Sequence, residues 1–241
     1  MQSGFYVALS GQIALQRRMD SIANNVANSS TAGFRAENIK FESVLSQVPP
    51  DSTAFVSAGE PFLSRASGEL IRTDNLLDIA IEGDAWLAIQ TPSGQVFTRD
   101  GRMRITDEGV LQTLNGYPIL DVGGAPVVVE PEAGPVLIAR DGTITQGDRQ
   151  IGAIGLFRLG QANTLHRFDN SGLISEEPAD PVLDFVGVGV VQGYVERANV
   201  NPVLEMTRLV MVSRAFDAAA SVINEVDSSL QSALRTLGPG S

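Results

Sequence analysis

Apolar positions at the two ends of the chain recur with helical spacing; those in the middle do not. Near the amino terminus Leu15, Met19, Ile22 and Val26 follow a 4-3-4 rhythm, which Phe5 and Ala8 continue upstream with only Gln12 out of step. A seven-residue apolar repeat keeps one stripe turned towards a partner helix. The spacing predicts a helix from about residue 4 to 28, ended by Asn28-Ser29-Ser30-Thr31-Ala32-Gly33. Those side chains compete for backbone hydrogen bonds, and the glycine can take positive φ. The carboxyl-terminal pattern is longer. Leu209, Val212, Phe216, Ala219, Ile223, Val226, Leu230, Ala233 and Leu237 alternate 3-4 without a break. Asn201 suits an N-cap, Pro202 a first turn, and Gly238-Pro239-Gly240 a stop. About 35 helical residues would be roughly 50 Å long.

The flanks of the second stripe are also apolar. Ala215, Ala220, Val222 and Leu234 lie beside it, and Val210, Met211 and Ala218 further round. That arc is too wide for one partner, so more than one neighbour should cover the first half of the helix.

Between about residues 70 and 199, short β-prone runs alternate with glycine turns such as Ser93-Gly94, Asp100-Gly101, Asn115-Gly116 and Asp141-Gly142. Leu77–Ile81, Trp86–Gln90, Val127–Val129, Val136–Ala139, Ile154–Leu159 and Val191–Val195 are the predicted strands, and their spacing argues for an antiparallel all-β domain. Residues 36–69, with Pro49-Pro50 and scattered Ser and Gly, are expected to be an extended connector. The predicted class is therefore α+β: amino- and carboxyl-terminal helices paired as a coiled-coil-like layer (1–35 and 200–241) around a central antiparallel β domain (70–199).

Charge sharpens this division. The 241 residues carry a formal charge of −11, but residues 1–40 sum to +2, residues 201–241 to −1 and the middle to −12. Nearly neutral ends can pack together without self-repulsion, while an acidic centre suits a solvated surface and argues against nucleic-acid or anionic-membrane partners. With no cysteine, thiolate chemistry, disulfides and zinc–sulfur sites are excluded; with His166 the only histidine, so is any three-histidine metal site. The start lacks the basic leader and apolar core of a cleavable signal, and no apolar run reaches the ~18 residues of a membrane span.

Candidate chemistry is thin. Gly187-Val188-Gly189-Val190-Val191-Gln192-Gly193 approaches a dinucleotide fingerprint, but it is one residue too long and runs on into β-prone Tyr194-Val195-Glu196 rather than a helix. Asp169-Asn170-Ser171-Gly172 lacks the remainder of a calcium loop and suits a turn. Asp107-Glu108 and Glu176-Glu177 are neighbours whose side chains would face opposite sides of a strand. His166 is expected to be a partly exposed packing residue and Trp86 a core residue. No catalytic, cofactor or metal site is expected.

Three stretches carry a resemblance. Tyr6–Gln12, Met19–Asn28 and Thr31-Ala32-Gly33-Phe34-Arg35 closely resemble the amino-terminal signature of the flagellar rod and hook axial proteins. Leu77–Trp86, Phe97-Thr98-Arg99-Asp100-Gly101 and Asn115–Leu120 resemble the family's second characteristic region, and Asn199–Met206 running into Arg214–Asp217 its carboxyl-terminal one. Within the family, the opening residues and compact middle are most similar to proximal-rod members, with distal-rod or hook members as the alternative; hook proteins usually carry an additional outer domain. The resemblance implies a non-enzymatic structural subunit of the flagellar drive shaft. Such a subunit would be exported unfolded through the flagellar type III apparatus and assembled in the periplasm with copies of itself and other rod proteins, without cofactor or membrane insertion. It further implies that the terminal helices stack into an inner tube. The assembly interface would then be Leu9, Leu15, Met19, Ile22 and Val26 with Leu209, Val212, Phe216, Ile223, Val226 and Leu230. Asn24, Asn25, Asn28, Gly33, Phe34, Asn199, Asn201 and Pro202 would be the motif residues. A glycan-binding β domain with a coiled-coil tag is the rival from another class; it would need clustered carboxylates or exposed aromatics, and aromatics are 6% of the chain.

Overall fold

The computed structural model describes residues 2–46, 53–57, 59–161 and 164–237. It is α+β: two long helices, α1 (Gln2–Ala27) and α2 (Pro202–Leu237), enclose a series of short strands in chain order, and the strand pairings are antiparallel. The chain divides into two units. One comprises residues 1–27, 37–64 and 201–241, the other residues 28–36 and 65–200.

In the first unit α1 and α2 are neighbours. At the start of α2, Asn201 Oδ1 accepts a hydrogen bond from Leu204 N at 3.1 Å, and Glu205 N donates to Asn201 O at 3.0 Å; Pro202 fills the position where a missing N–H goes unnoticed. Residues 37–63, read from sequence as connector, instead contribute nested antiparallel pairs against α1: Glu37–Lys40 with Glu60–Leu63, and Ser43–Ser46 with Thr53–Val56. Strands this short, with Pro61 in one of them, leave little alternation to read. The Pro49-Pro50 pair lies outside the described residues.

The second unit is the β unit. A six-stranded sheet runs in the order Leu165–Phe168, Gly172–Ser175, Gly94–Thr98, Trp86–Thr91, Leu156–Arg158, Asp180–Pro181. Trp86–Thr91 and Gly94–Thr98 form its central hairpin, closed by the two-residue loop Pro92-Ser93, and Gly94, which opens the returning strand opposite Thr91, has φ 108°. Strands at the margin of the core alternate, as in Leu111–Thr113 and Thr143–Gln146, with every second side chain buried. Ile81, Leu87, Ile89, Leu111, Ile119 and Ile144 belong to one buried cluster. Two expected strands differ in detail. Val127–Val129 is not a strand: it makes the isolated bridge Val128↔Val110, with Val127 N and Val129 N donating to Ile119 O at 2.9 Å and Gly109 O at 2.8 Å. Val191–Val195 is split into Gly189–Gln192 and Tyr194–Glu196 by Gly193 at φ 78°.

Candidate functional site

In sequence the motif residues flank the end of α1 and the start of α2. Asn25, buried on the last turn of α1, spends its whole amide on one backbone unit: Nδ2 donates to Glu37 O at 2.8 Å and Oδ1 accepts from Glu37 N at 2.9 Å. Ser21 Oγ donates to the same carbonyl at 2.9 Å. The first strand after the motif is thereby stapled to α1. Asn24 lines a shallow hollow with Arg17, Asp20, Glu37 and Ile39.

Residues 28–36 belong to the β unit, and their chemistry explains why. Asn28 closes a turn, its carbonyl accepting from Thr31 N at 3.0 Å. Gly33 has φ 67°, and its N–H donates to Glu196 O at 2.8 Å. A Cβ at this position would stand 2.3 Å from Asp100 N, so only glycine fits. Phe34 is fully buried, with the Arg167 guanidinium 4.3 Å from its ring centroid. Asn199 then binds the two ends of the unit together: its Oδ1 accepts from Ala36 N at 2.6 Å, its Nδ2 donates to Ala66 O at 2.7 Å, and its own N–H donates to Phe34 O at 3.3 Å.

Beneath this tie sits a buried charge cluster. Arg35 and Arg99, 2% and 1% exposed, both pair with Glu196, which is 0% exposed: Arg35 Nη2 lies 2.8 Å from Oε1, and Arg99 Nη1 3.2 Å from Oε2. Glu196 Oε1 also accepts from Gly68 N at 2.8 Å. Carbonyls take further guanidinium donors: Arg35 Nη1 donates to Ala66 O, Arg99 Nη1 also to Ile81 O at 2.8 Å and Arg99 Nη2 to Gly83 O, while the buried Nε of each arginine has no hydrogen-bond partner among the described residues. Both guanidiniums lie over the Trp86 indole, 5.5 and 5.1 Å from its centroid, a cation–π stack that suits a buried arginine better than a lysine. Burial lowers the pKa of both arginines, that of Arg99 to about 10, against the opposing pull of Glu196.

The helical residues fall into two sets. Ile22 and Val212 are buried; Leu15, Met19, Val26, Leu209, Phe216 and Ile223 are half-buried, and Leu9 is exposed. The side chains of Val226 and Leu230 lie outside the described residues. Outside this seam a second apolar face is open to solvent: Val203, Met206, Val210, Met211 and Val222 on α2 are each more than half exposed, and Tyr6, Leu9 and Ile13 on α1 are exposed at 3-4 spacing. That is more apolar surface than an isolated helix pair needs to show.

The remaining chemical candidates stay apart. His166 is exposed, its Nε2 2.8 Å from Glu176 Oε1. The Gly187–Gly193 run contains the strand Gly189–Gln192 and leads into the strand Tyr194–Glu196, with no helix after it to receive a phosphate. Among the described residues no cluster of three or more His, Asp or Glu could hold a metal ion, and no helix is long and apolar enough to cross a membrane.

Comparison with known proteins follows the same three stretches. Residues 5–35 match the family model described as flagella basal body rod protein, residues 80–146 the flagellar hook protein FlgE/F/G D1 domain, and residues 191–236 the flagellar basal body rod FlgEFG protein C-terminal. The chain is 48% identical to the flagellar basal-body rod protein FlgF of Mesorhizobium japonicum and 45% identical to that of Rhizobium meliloti, in each case over 99% of both chains. The chain belongs to the flagellar basal-body rod protein family. With the FlgG of Bacillus subtilis, identity falls to 29% over 96% of this chain.

In this rod protein the motif residues are joints. Gly33, Phe34, Asn199 and Asn25 are taken up by contacts within the chain, while Asn201 and Pro202 start α2. Sequence reasoning missed the partners of Arg35. Glu196 closes a β-prone run and Arg99 precedes an Asp-Gly turn, places where a charge ordinarily faces water; only the family resemblance around Arg99 drew attention to either.

Proposed function

We propose that the chain is a structural subunit of the proximal part of the flagellar rod, held among its neighbours by the two terminal helices. In this reading α1 and α2 pair in coiled-coil fashion and form the inner layer of the assembly, while the β unit lies outside it. The neighbours are copies of this chain and related rod subunits, reached after unfolded export through the flagellar type III apparatus. No catalytic step is assigned to it. The proximal assignment rests on relatives named FlgF at 45–48% identity, against 29% for a relative named FlgG. The single observation that carries the mechanical role is the open apolar face of α2, because Val210, Met211 and Val222 are over half exposed on a helix whose opposite stripe already has a partner.

A charge on that face tests it. Met211→Asp places a carboxylate on an exposed position, so the β unit should keep its stability while the subunit fails to enter the rod and the cells stop swimming. Phe216→Asp, on the seam, should have the same outcome. Soft-agar motility and recovery of the subunit in purified basal bodies are the measurements; normal swimming with both variants would overturn the interface.

A further inference from the structure

The β unit closes around a piece of chain that follows α1 directly in sequence. Residues 28–36 are separated in sequence from the remainder of the unit by residues 37–64, yet they supply a fully buried aromatic and one of the two arginines on its buried glutamate. Without them Phe34 leaves a hole, and Glu196 keeps Arg99 alone. The carbonyl of Ala66 also loses two donors, Arg35 directly and Asn199 through the Ala36 tie. A buried charge deprived of its partner is far more costly than a lost surface pair.

We propose that residues 28–36 are a folding key for the β unit. The unit completes its core only when Gly33, Phe34 and Arg35 dock on Trp86, Arg99 and Glu196, so the strands that begin at residue 79 are stabilised by a segment more than forty residues upstream. The same dock holds residues 28–36 and Asn199, which follow α1 and precede α2 in sequence. This inference does not depend on the rod assignment.

Trp86, the only tryptophan of the chain, reports on the dock directly. In the full-length protein, Arg35→Met should lower hydrogen-exchange protection of residues 79–91 roughly 100-fold, along with that of residues 28–36, and shift Trp86 emission to the red. Arg149→Met, which removes an exposed ion pair with Glu130 in the same unit, should leave both unchanged. If Arg35→Met does not accumulate as folded protein, Glu196→Gln, of nearly the same shape, carries the test with an expected loss of about tenfold over the same residues. Loss of protection confined to residues 28–36, with residues 79–91 and the emission unaltered, would overturn the proposal, because the segment would then be a passenger on a unit that folds without it.

Discussion

Gly33 stands where α1 hands the chain to the β unit, and two separate constraints meet in it. Its φ of 67° disfavours any side chain, and its missing Cβ is the space occupied by the backbone of Arg99 and Asp100. Gly124 isolates the first constraint: φ is 81°, but a Cβ there meets no atom within 4 Å among the described residues. Gly124→Ala should therefore cost about 1–2 kcal/mol, the usual penalty of a left-handed non-glycine residue. Gly33→Ala should cost clearly more, since backbone must move as well; the comparison is made by thermal unfolding followed at Trp86. At this scale the sequence is least legible. Asn25, Gly33, Phe34 and Asn199 stand out as a motif, but nothing in their spacing says that Asn25 will embrace one peptide unit or that Asn199 will bridge Ala36 and Ala66. Glu196 is harder still, because a buried carboxylate is legible only from the arginines brought to it by the fold.

At the scale of elements, the helices were the readable part. A 3-4 repeat sustained over several heptads has few other interpretations, and the start of α2 at Pro202 follows from Asn201. That cap can be weighed: Asn201→Ala removes the acceptor for Leu204 N and should cost about 1 kcal/mol, seen as faster hydrogen exchange over residues 203–206 with the β unit untouched. The strands were legible where alternation or a long apolar run marked them, as in Trp86–Thr91. They were obscure in residues 37–63, where four-residue strands carry Lys40, Glu60 and Pro61 at positions a sequence pattern assigns to loop. A strand of that length is defined by what it packs on, and its support is α1 rather than its own composition.

For the molecule as a whole, the distribution of exposed apolar surface separates what the chain satisfies internally from what it leaves for others. The β unit buries Ile81, Leu87, Leu111 and Ile144 almost completely, whereas α2 leaves Val203, Met206, Val210, Met211 and Val222 more than half exposed over its first six turns. Helix stability in proteins comes mainly from packing of the apolar face, so α2 should be weakly held in a free subunit and firmly held in an assembled rod. Hydrogen exchange on the dilute monomer should then show residues 79–89 strongly protected and residues 206–222 protected at least 100-fold less, because opening the helix forfeits little burial there. In purified basal bodies the two regions should converge, as neighbouring subunits cover the exposed face. A dilute monomer in which residues 206–222 were as protected as the β core would mean that α2 already has all the partners it needs, and the open face would have to be explained without a neighbour.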